Sequence, residues 1–339
     1  MHAENDICDN SHIRLLTPAR YDGIVFFVGE SKKSGKKLNH KGEAEMKKWI
    51  SAAMAVILMF LMAACSEETV TDAKADAKKP QKTEQHTEEK KTSDVVIQET
   101  VLLNEAGLTI TAKSFDVDEW FGPELKLLIE NNSGKNLTVQ SRNASVNGYM
   151  VETMMSVDVA DGKKANDALA FMQSDLESCG IDTIADMEFS FHVFTTEDWE
   201  TYFDSEQIRI ETSAVDSYAY GFDDAGDVLY DEGGVRIIVK GMIEDEIFGP
   251  GIRIYIENTS GENITIQARD VSVNGFMIDP IFSCDVMAEK RAVSDITFMT
   301  SDLEDNDIND IEEVELSFHI FDMEDWETIV DTDSFNITF

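Results

Sequence analysis

The side chains best suited to catalysis or metal binding are scarce in this chain, which has six histidines and four cysteines in 339 residues. No Cys-x-x-Cys, His-Glu-x-x-His or Gly-x-Ser-x-Gly pattern occurs, so the common zinc, redox and serine-nucleophile chemistries lack their spacing. His192 alternates with Phe191 and Val193, and His319 with Phe318 and Ile320, so both imidazoles are expected to point away from a core. No nucleophile recurs beside them, and both read as surface histidines. The segment Asp305-Asn306-Asp307-Ile308-Asn309-Asp310 has the first three ligand positions of a calcium loop. It lacks the sixth-place glycine and puts Leu316 where a bidentate glutamate belongs. Cys179 and Cys284 have no partner within their own segments and read as unpaired, Cys284 as a small hydrophobe. These residues predict no catalytic centre, no metal and no cofactor.

The positions that share polar residues become visible through a repeat. Sliding the chain by 127 places lays Phe121-Gly122-Pro123 on Phe248-Gly249-Pro250 and holds register without a gap from Val101/Val228 to Thr212/Phe339. Ser145-Val146-Asn147-Gly148 meets Ser272-Val273-Asn274-Gly275, and Glu197-Asp198-Trp199-Glu200-Thr201 meets Glu324-Asp325-Trp326-Glu327-Thr328. About 50 of roughly 112 paired positions are identical, which marks a tandem duplication. Arg142/Arg269, Asp158/Asp285 and Lys163/Lys290 are polar in both copies and read as structural ion pairs or a shared surface.

The elements that must position these residues read as strands. Leu108, Ile110 and Ala112 alternate with polar neighbours, as do Leu125, Leu127 and Ile129, then Met187, Phe189, Phe191 and Val193. Asn147-Gly148 and Asn274-Gly275 are two-residue hairpin signals. Seven or so short strands in roughly 110 residues predict an immunoglobulin-like sandwich. The fold class expected is therefore all-β: two tandem immunoglobulin-like β-sandwich modules, each with a short helix, after a disordered tether. The helix is expected after Thr195 or Asp322, with Trp199, Tyr202 and Phe203, or Trp326, Ile329 and Val330, on its core face. A tryptophan at a sugar site is the sharper alternative to that core reading.

The strand order, the Glu-Asn-x-Ser-Gly turn at Glu130 and Glu257, the Lys163-containing segment and the Asp-Trp-Glu-Thr close resemble immunoglobulin-like modules of Gram-positive surface lipoproteins. Some of these are grouped with telokin-like domains. The resemblance covers about residues 95 to 339 and implies an extracellular scaffold without a catalytic motif.

The amino-terminal third fits that address. From Met46 the chain reads MKKWISAAMAVILMFLMAAC, a start residue, two lysines, an uncharged run and small residues before a cysteine. The run from Trp49 to Ala64 is shorter than the ~20 residues of a membrane-spanning helix. Met62-Ala63-Ala64-Cys65 resembles a bacterial lipobox, which implies cleavage before Cys65 and a diacylglyceryl group on its sulfur. Lys41-Gly42-Glu43 can be encoded by a ribosome-binding sequence, so residues 1–45 read as translated upstream DNA and 46–64 as the signal peptide. Residues 65–94 have no aromatic side chain and one large aliphatic, Val70, and are expected to form a disordered tether. The modules are expected at 95–213 and 214–339, the aromatic run Tyr218, Tyr220 and Phe222 leading into the second.

With a formal net charge of −39, the chain repels nucleic acid and anionic headgroups. The expectation is a noncatalytic protein, lipid-anchored on the outer face of the cytoplasmic membrane. Its expected partners are that membrane and a cell-wall or extracellular protein or peptide ligand. A wall-directed hydrolase or inhibitor using an acidic cleft between the modules is the alternative.

Overall fold

The computed structural model describes residues 19–21, 24–26, 95–118, 122–245 and 247–339. It divides into two compact units, Met1–Glu84 and Gln85–Phe339. In the first, only the antiparallel pair Ala19–Tyr21 and Ile24–Phe26 is described. The rest of residues 1–45, the signal segment with Cys65 and the tether lie outside the described residues. Among the described residues, no helix is long and apolar enough to cross a membrane.

The described residues of the second unit are all-β and form two immunoglobulin-like sandwiches in tandem. In the first, one sheet runs Thr100–Glu105, Leu108–Asp118, Gly122–Asn131 and Lys163–Phe171, with Thr153–Met154 at the end of the last strand. The opposing sheet centres on Leu137–Val146 paired with Asp186–Thr195, flanked by Ser156–Val159, Thr201–Asp204 and Ile208–Glu211. The alternating residues Leu108, Ile110, Leu125, Leu127, Ile129, Leu137, Val139, Phe189, Phe191 and Val193 all face one core. The second module repeats the plan around Ile237, Ile252, Ile254, Ile256, Ile264, Ile266, Leu316 and Phe318.

Local chemistry is duplicated with the strands. Asn131 is fully buried because its amide donates to the Lys135 and Val159 carbonyls while its Oδ1 accepts from Ser133. Asn258 does the same with Glu262, Val286 and Ser260. This satisfied amide explains the Glu-Asn-x-Ser-Gly turn, since a buried polar group without partners is costly. Asn147 and Gly148 take φ of 51° and 85°, the double positive φ of a tight hairpin.

The short helix exists, though not where expected. It is Gln173–Ser178 in the first module and Thr300–Asp305 in the second, each burying one leucine, Leu176 or Leu303. After Thr195 and Asp322 the chain makes a single turn, in which Trp199 N–H reaches the Thr195 carbonyl and Trp326 N–H the Asp322 carbonyl. Trp199 and Trp326 then adopt φ of 61° and 66°, which ends helical propagation and turns the chain into Thr201–Asp204 or Thr328–Asp331.

The modules join through a continuous sheet. Tyr149–Met150 extends from the first module's second sheet and pairs in parallel with the second module's Arg291–Thr297 at Tyr149 and Arg291. The aromatic run 218–222 forms no strand. Tyr220 hydroxyl donates to the Asp186 carboxylate, and Phe222 packs edge-on against Tyr149 at 5.5 Å with the second module's Arg291 guanidinium 3.6 Å from its ring centre, so this run touches both modules at their junction.

Candidate functional site

The outer face of the Asp186–Thr195 sheet carries two polar rows set by strand register. Asp204, His192, Gln140 and Ser156 oppose one another across four strands, and Thr201, Phe194, Thr138 and Asp158 form the adjacent row. In the second module the rows are Asp331, His319, Gln267 and Ser283, then Thr328, Phe321, Thr265 and Asp285. Every position is identical between the copies. The internal bonds repeat as well: His192 Nδ1 lies 2.5 Å from Asp204 and His319 Nδ1 2.6 Å from Asp331. Thr138 and Thr265 hydroxyls each donate at 2.6 Å to Asp158 and Asp285.

Above these rows sits an aromatic ladder. His192 lies 5.3 Å from the Phe194 ring, and Trp199 stacks on Phe194 at 5.5 Å with an 18° interplanar angle. His319, Phe321 and Trp326 repeat it at 5.0 and 5.6 Å, again with 18° between the stacked rings. The tryptophans are therefore not core residues: they are 64 and 65% exposed. A β-bulge at Val193/Phe194 and Ile320/Phe321 skips one residue of the returning strand and brings Thr201 or Thr328 opposite the phenylalanine. Exposed carboxylates flank each indole, from Glu197, Asp198 and Glu200 or Glu324, Asp325 and Glu327. The Thr195 hydroxyl, foremost, holds the Asp198 carboxyl below its usual range, and the Asp325 and Glu324 N–H groups do the same for Asp322. The histidines face outward as their alternation implies, but they lie under the aromatic ladder with 12 and 20% of their side chains accessible.

The outer face of the other sheet behaves differently. Its register rows are Thr109, Glu130 and Lys164; Thr111, Leu128 and Asn166; Ser114, Lys126 and Ala168. The second module has Arg236, Glu257 and Arg291; Ile238, Tyr255 and Val293; Gly241, Arg253 and Asp295. Only Glu130 and Glu257 are the same residue. In the second module this face is the docking surface for the first, and Ile238 and Tyr255 are buried in the first module's core cluster.

Of the other shared polar residues, Lys290 reaches Glu188 of the first module at 2.7 Å, while Lys163 is exposed. Arg269 bonds Gln267 at 2.8 Å. A cavity of about 250 Å³ at the junction is lined by Asp186, Glu188, Arg209, Tyr220, Phe222 and Lys290. Its acids are matched: Arg209 bonds Asp186 at 3.0 Å and Glu188 at 3.2 Å. Of the Asp305–Asp310 segment, Asn306 to Asp310 line an open cavity of about 410 Å³ and Asp305 does not. Among the described residues, no group of three or more His, Cys, Asp or Glu is placed to hold a metal ion. Cys179 is half-buried and Cys284 buried, both unpaired, and burial above all pushes each thiol up to about 12.

Fold and site together define a tandem immunoglobulin-like protein with one aromatic face presented twice. No family model matches the chain, and no curated protein does. Among solved structures it is similar to the YadV chaperone, at 10% identity and a TM-score of 0.20, over 64% of this chain and 92% of that one. It is also similar to a Salmonella enterica SafA pilin in complex with the SafB chaperone, at 11% identity and a TM-score of 0.18, over 64% and 89%. Likenesses that slight do not bear on function.

Proposed function

We propose that this chain is a noncatalytic lipoprotein, anchored through Cys65 on the outer face of the cytoplasmic membrane, that presents one ligand-binding face twice. The observation that carries this is the contrast between the two outer faces. Residues that face away from the core contribute little to packing, so identity concentrated on one of two such faces points to recognition rather than fold. The ligand that suits the face has a group to lie on an indole and positive charge for the carboxylates beside it. A protein or peptide segment bearing Lys or Arg meets both demands through cation–π contact and ion pairing. Two faces on one anchored chain add avidity toward a ligand that repeats. The junction does not favour a hydrolase, because its carboxylates are held in matched ion pairs.

One binding experiment separates anchor from face. Cells expressing the full chain are offered a fluorescent Lys/Arg-rich peptide, with cells lacking the chain as baseline. Trp199→Ala combined with Trp326→Ala should keep the protein on the cell and lose most of the label above baseline. Cys65→Ser should release the protein into the medium or leave it unprocessed. Label that persists on the double variant defeats the binding face. Normal processing and retention of Cys65→Ser defeats the anchor, since a diacyl group suffices without a spanning helix.

A further inference from the structure

The junction between the modules is an interlock with two halves. One half is the end of the first module: the Gly148 carbonyl accepts the Arg291 N–H at 3.0 Å, and Tyr149, 4% exposed, packs on Tyr255 and Phe222. Met150 packs on the second module's core, and Glu188 receives Lys290. The other half is the side of the second module, built from Lys290, Arg291 with its ion partner Glu257, and Tyr255.

The repeat places a second set of both halves elsewhere, one on each module. Gly275, Phe276, Met277 and Glu315 stand where Gly148, Tyr149, Met150 and Glu188 stand in the first module. They are not covered: Phe276 is 46% and Met277 69% exposed, and Glu315 is exposed too. Lys163, Lys164 and Leu128 stand where Lys290, Arg291 and Tyr255 stand in the second, and Lys164 pairs with Glu130 as Arg291 does with Glu257. Among the described residues, the strand Lys163–Phe171 has a second neighbour only at Ala170 and Phe171, so its edge beside Lys164 is open as the Arg291 edge would be without Tyr149.

We propose that the free end of the second module docks on the free side of the first module of a second copy, continuing the internal interlock head to tail. Gly275 and Phe276 then meet the Lys164 edge, Phe276 covers Leu128, and Glu315 pairs with Lys163. The contact is heterologous, so it generates rings or open rows rather than closed pairs. It is weaker than the internal junction, because Thr111 and Asn166 replace Ile238 and Val293 on the receiving side. Its occupancy therefore rises with protein concentration. The contact involves neither tryptophan and stands apart from the proposed ligand.

The test is cross-linking of the purified full chain in detergent across a concentration series. The chain carries Met277→Cys and Lys164→Cys together, joined by a short bismaleimide. A ladder beyond dimers is expected, while mixing the two chains that each carry one of these introduced cysteines should stop at the mixed dimer, and the parent chain, with its half-buried Cys179, should give no ladder. Glu315→Lys should cut ladder yield about tenfold, because it sets like charges against Lys163. Adding Lys163→Glu to Glu315→Lys should restore the ladder. Monomers at every concentration, dimers without a ladder, or a ladder indifferent to Glu315→Lys would each overturn the proposal.

Discussion

The two outer faces of each sandwich have diverged to very different degrees since the duplication. On the Asp186–Thr195 side, the rows through His192 and Phe194 match those through His319 and Phe321 residue for residue. On the Lys163–Phe171 side, Thr111, Leu128 and Asn166 face Ile238, Tyr255 and Val293 in the other copy. A recent duplication would leave both faces alike, so age does not explain the first. Packing does not explain it either, because core positions themselves have changed, as Phe189 and Leu316 show. One face is an interface in the second module and open in the first, while the rows through His192 and Phe194 are the same in both. What differs supports the architecture; what is shared is used twice.

The largest effect that could break this comparison is on stability. Tyr255→Ala removes an aromatic side chain that is 1% exposed between the modules, and a cost of about 3–5 kcal/mol is expected. Leu128→Ala, at the matching but half-buried place in the first module, should cost about 1 kcal/mol. Urea unfolding of both variants measures the difference. Equal losses would mean that the covered face is not what holds the junction.

The divergence is partly legible in the residue pattern alone. Ile110-Thr111-Ala112 alternates, whereas Ile237-Ile238-Val239 is continuously apolar, the pattern of a strand covered on both sides. The strands and hairpins are equally plain, because period-two burial and Asn-Gly turns are local properties. The tryptophan is not. Trp199, Tyr202 and Phe203 have helical spacing, but one residue at φ 61° ends the helix that spacing requires, and no one-dimensional pattern reports a dihedral. The run 218–222 misleads for a related reason: alternation also suits an extended segment laid on a neighbour through Tyr220 and Phe222. Sorting the repeat's identities by strand face is the one signal in the chain that points to the aromatic site.

The two faces should also respond to opposite ends of the pH scale. At the junction, burial above all pushes Tyr149 and Tyr220 up to about 12, the Asp186 bond adding to the rise at Tyr220. Their neutral forms are favoured by folding, so that contribution is complete below the ordinary value of 10.0 and is lost as pH rises through about 12. On the aromatic face, Asp198 and Asp322 are shifted down. Their contribution is present above the ordinary 3.8 and is lost as pH falls through their lower folded values. An ultraviolet titration should find four late-ionising tyrosines, because Tyr230 and Tyr255 are also shifted upward, by burial above all, and one of the four disappears in Tyr149→Phe. Ionisation of all tyrosines near 10 would show that the junction does not hold them.

The smallest expected effect gives the sharpest discrimination. If Trp199 served the fold, its replacement would follow the usual order, with alanine tolerated better than glycine. At φ 61° that order should invert, because a side chain there carries a backbone cost of about 1 kcal/mol that glycine escapes. Both substitutions also uncover Phe194, which is 5% exposed beneath the indole, so that loss is common to the pair and cancels in their difference. Trp199→Gly should therefore be more stable than Trp199→Ala by about 1 kcal/mol, and Trp326→Gly should exceed Trp326→Ala similarly, as read from paired denaturation curves. Combined in one chain, the two glycine substitutions should still lose the label as completely as the two alanine ones do. A chain that keeps a bulky residue at two left-handed positions, where a smaller one is easier to hold, keeps it for what the exposed ring touches. Alanine variants as stable as the glycine ones would instead show that the turn relaxes, and would remove backbone strain as a reason to assign the indole a role outside the fold.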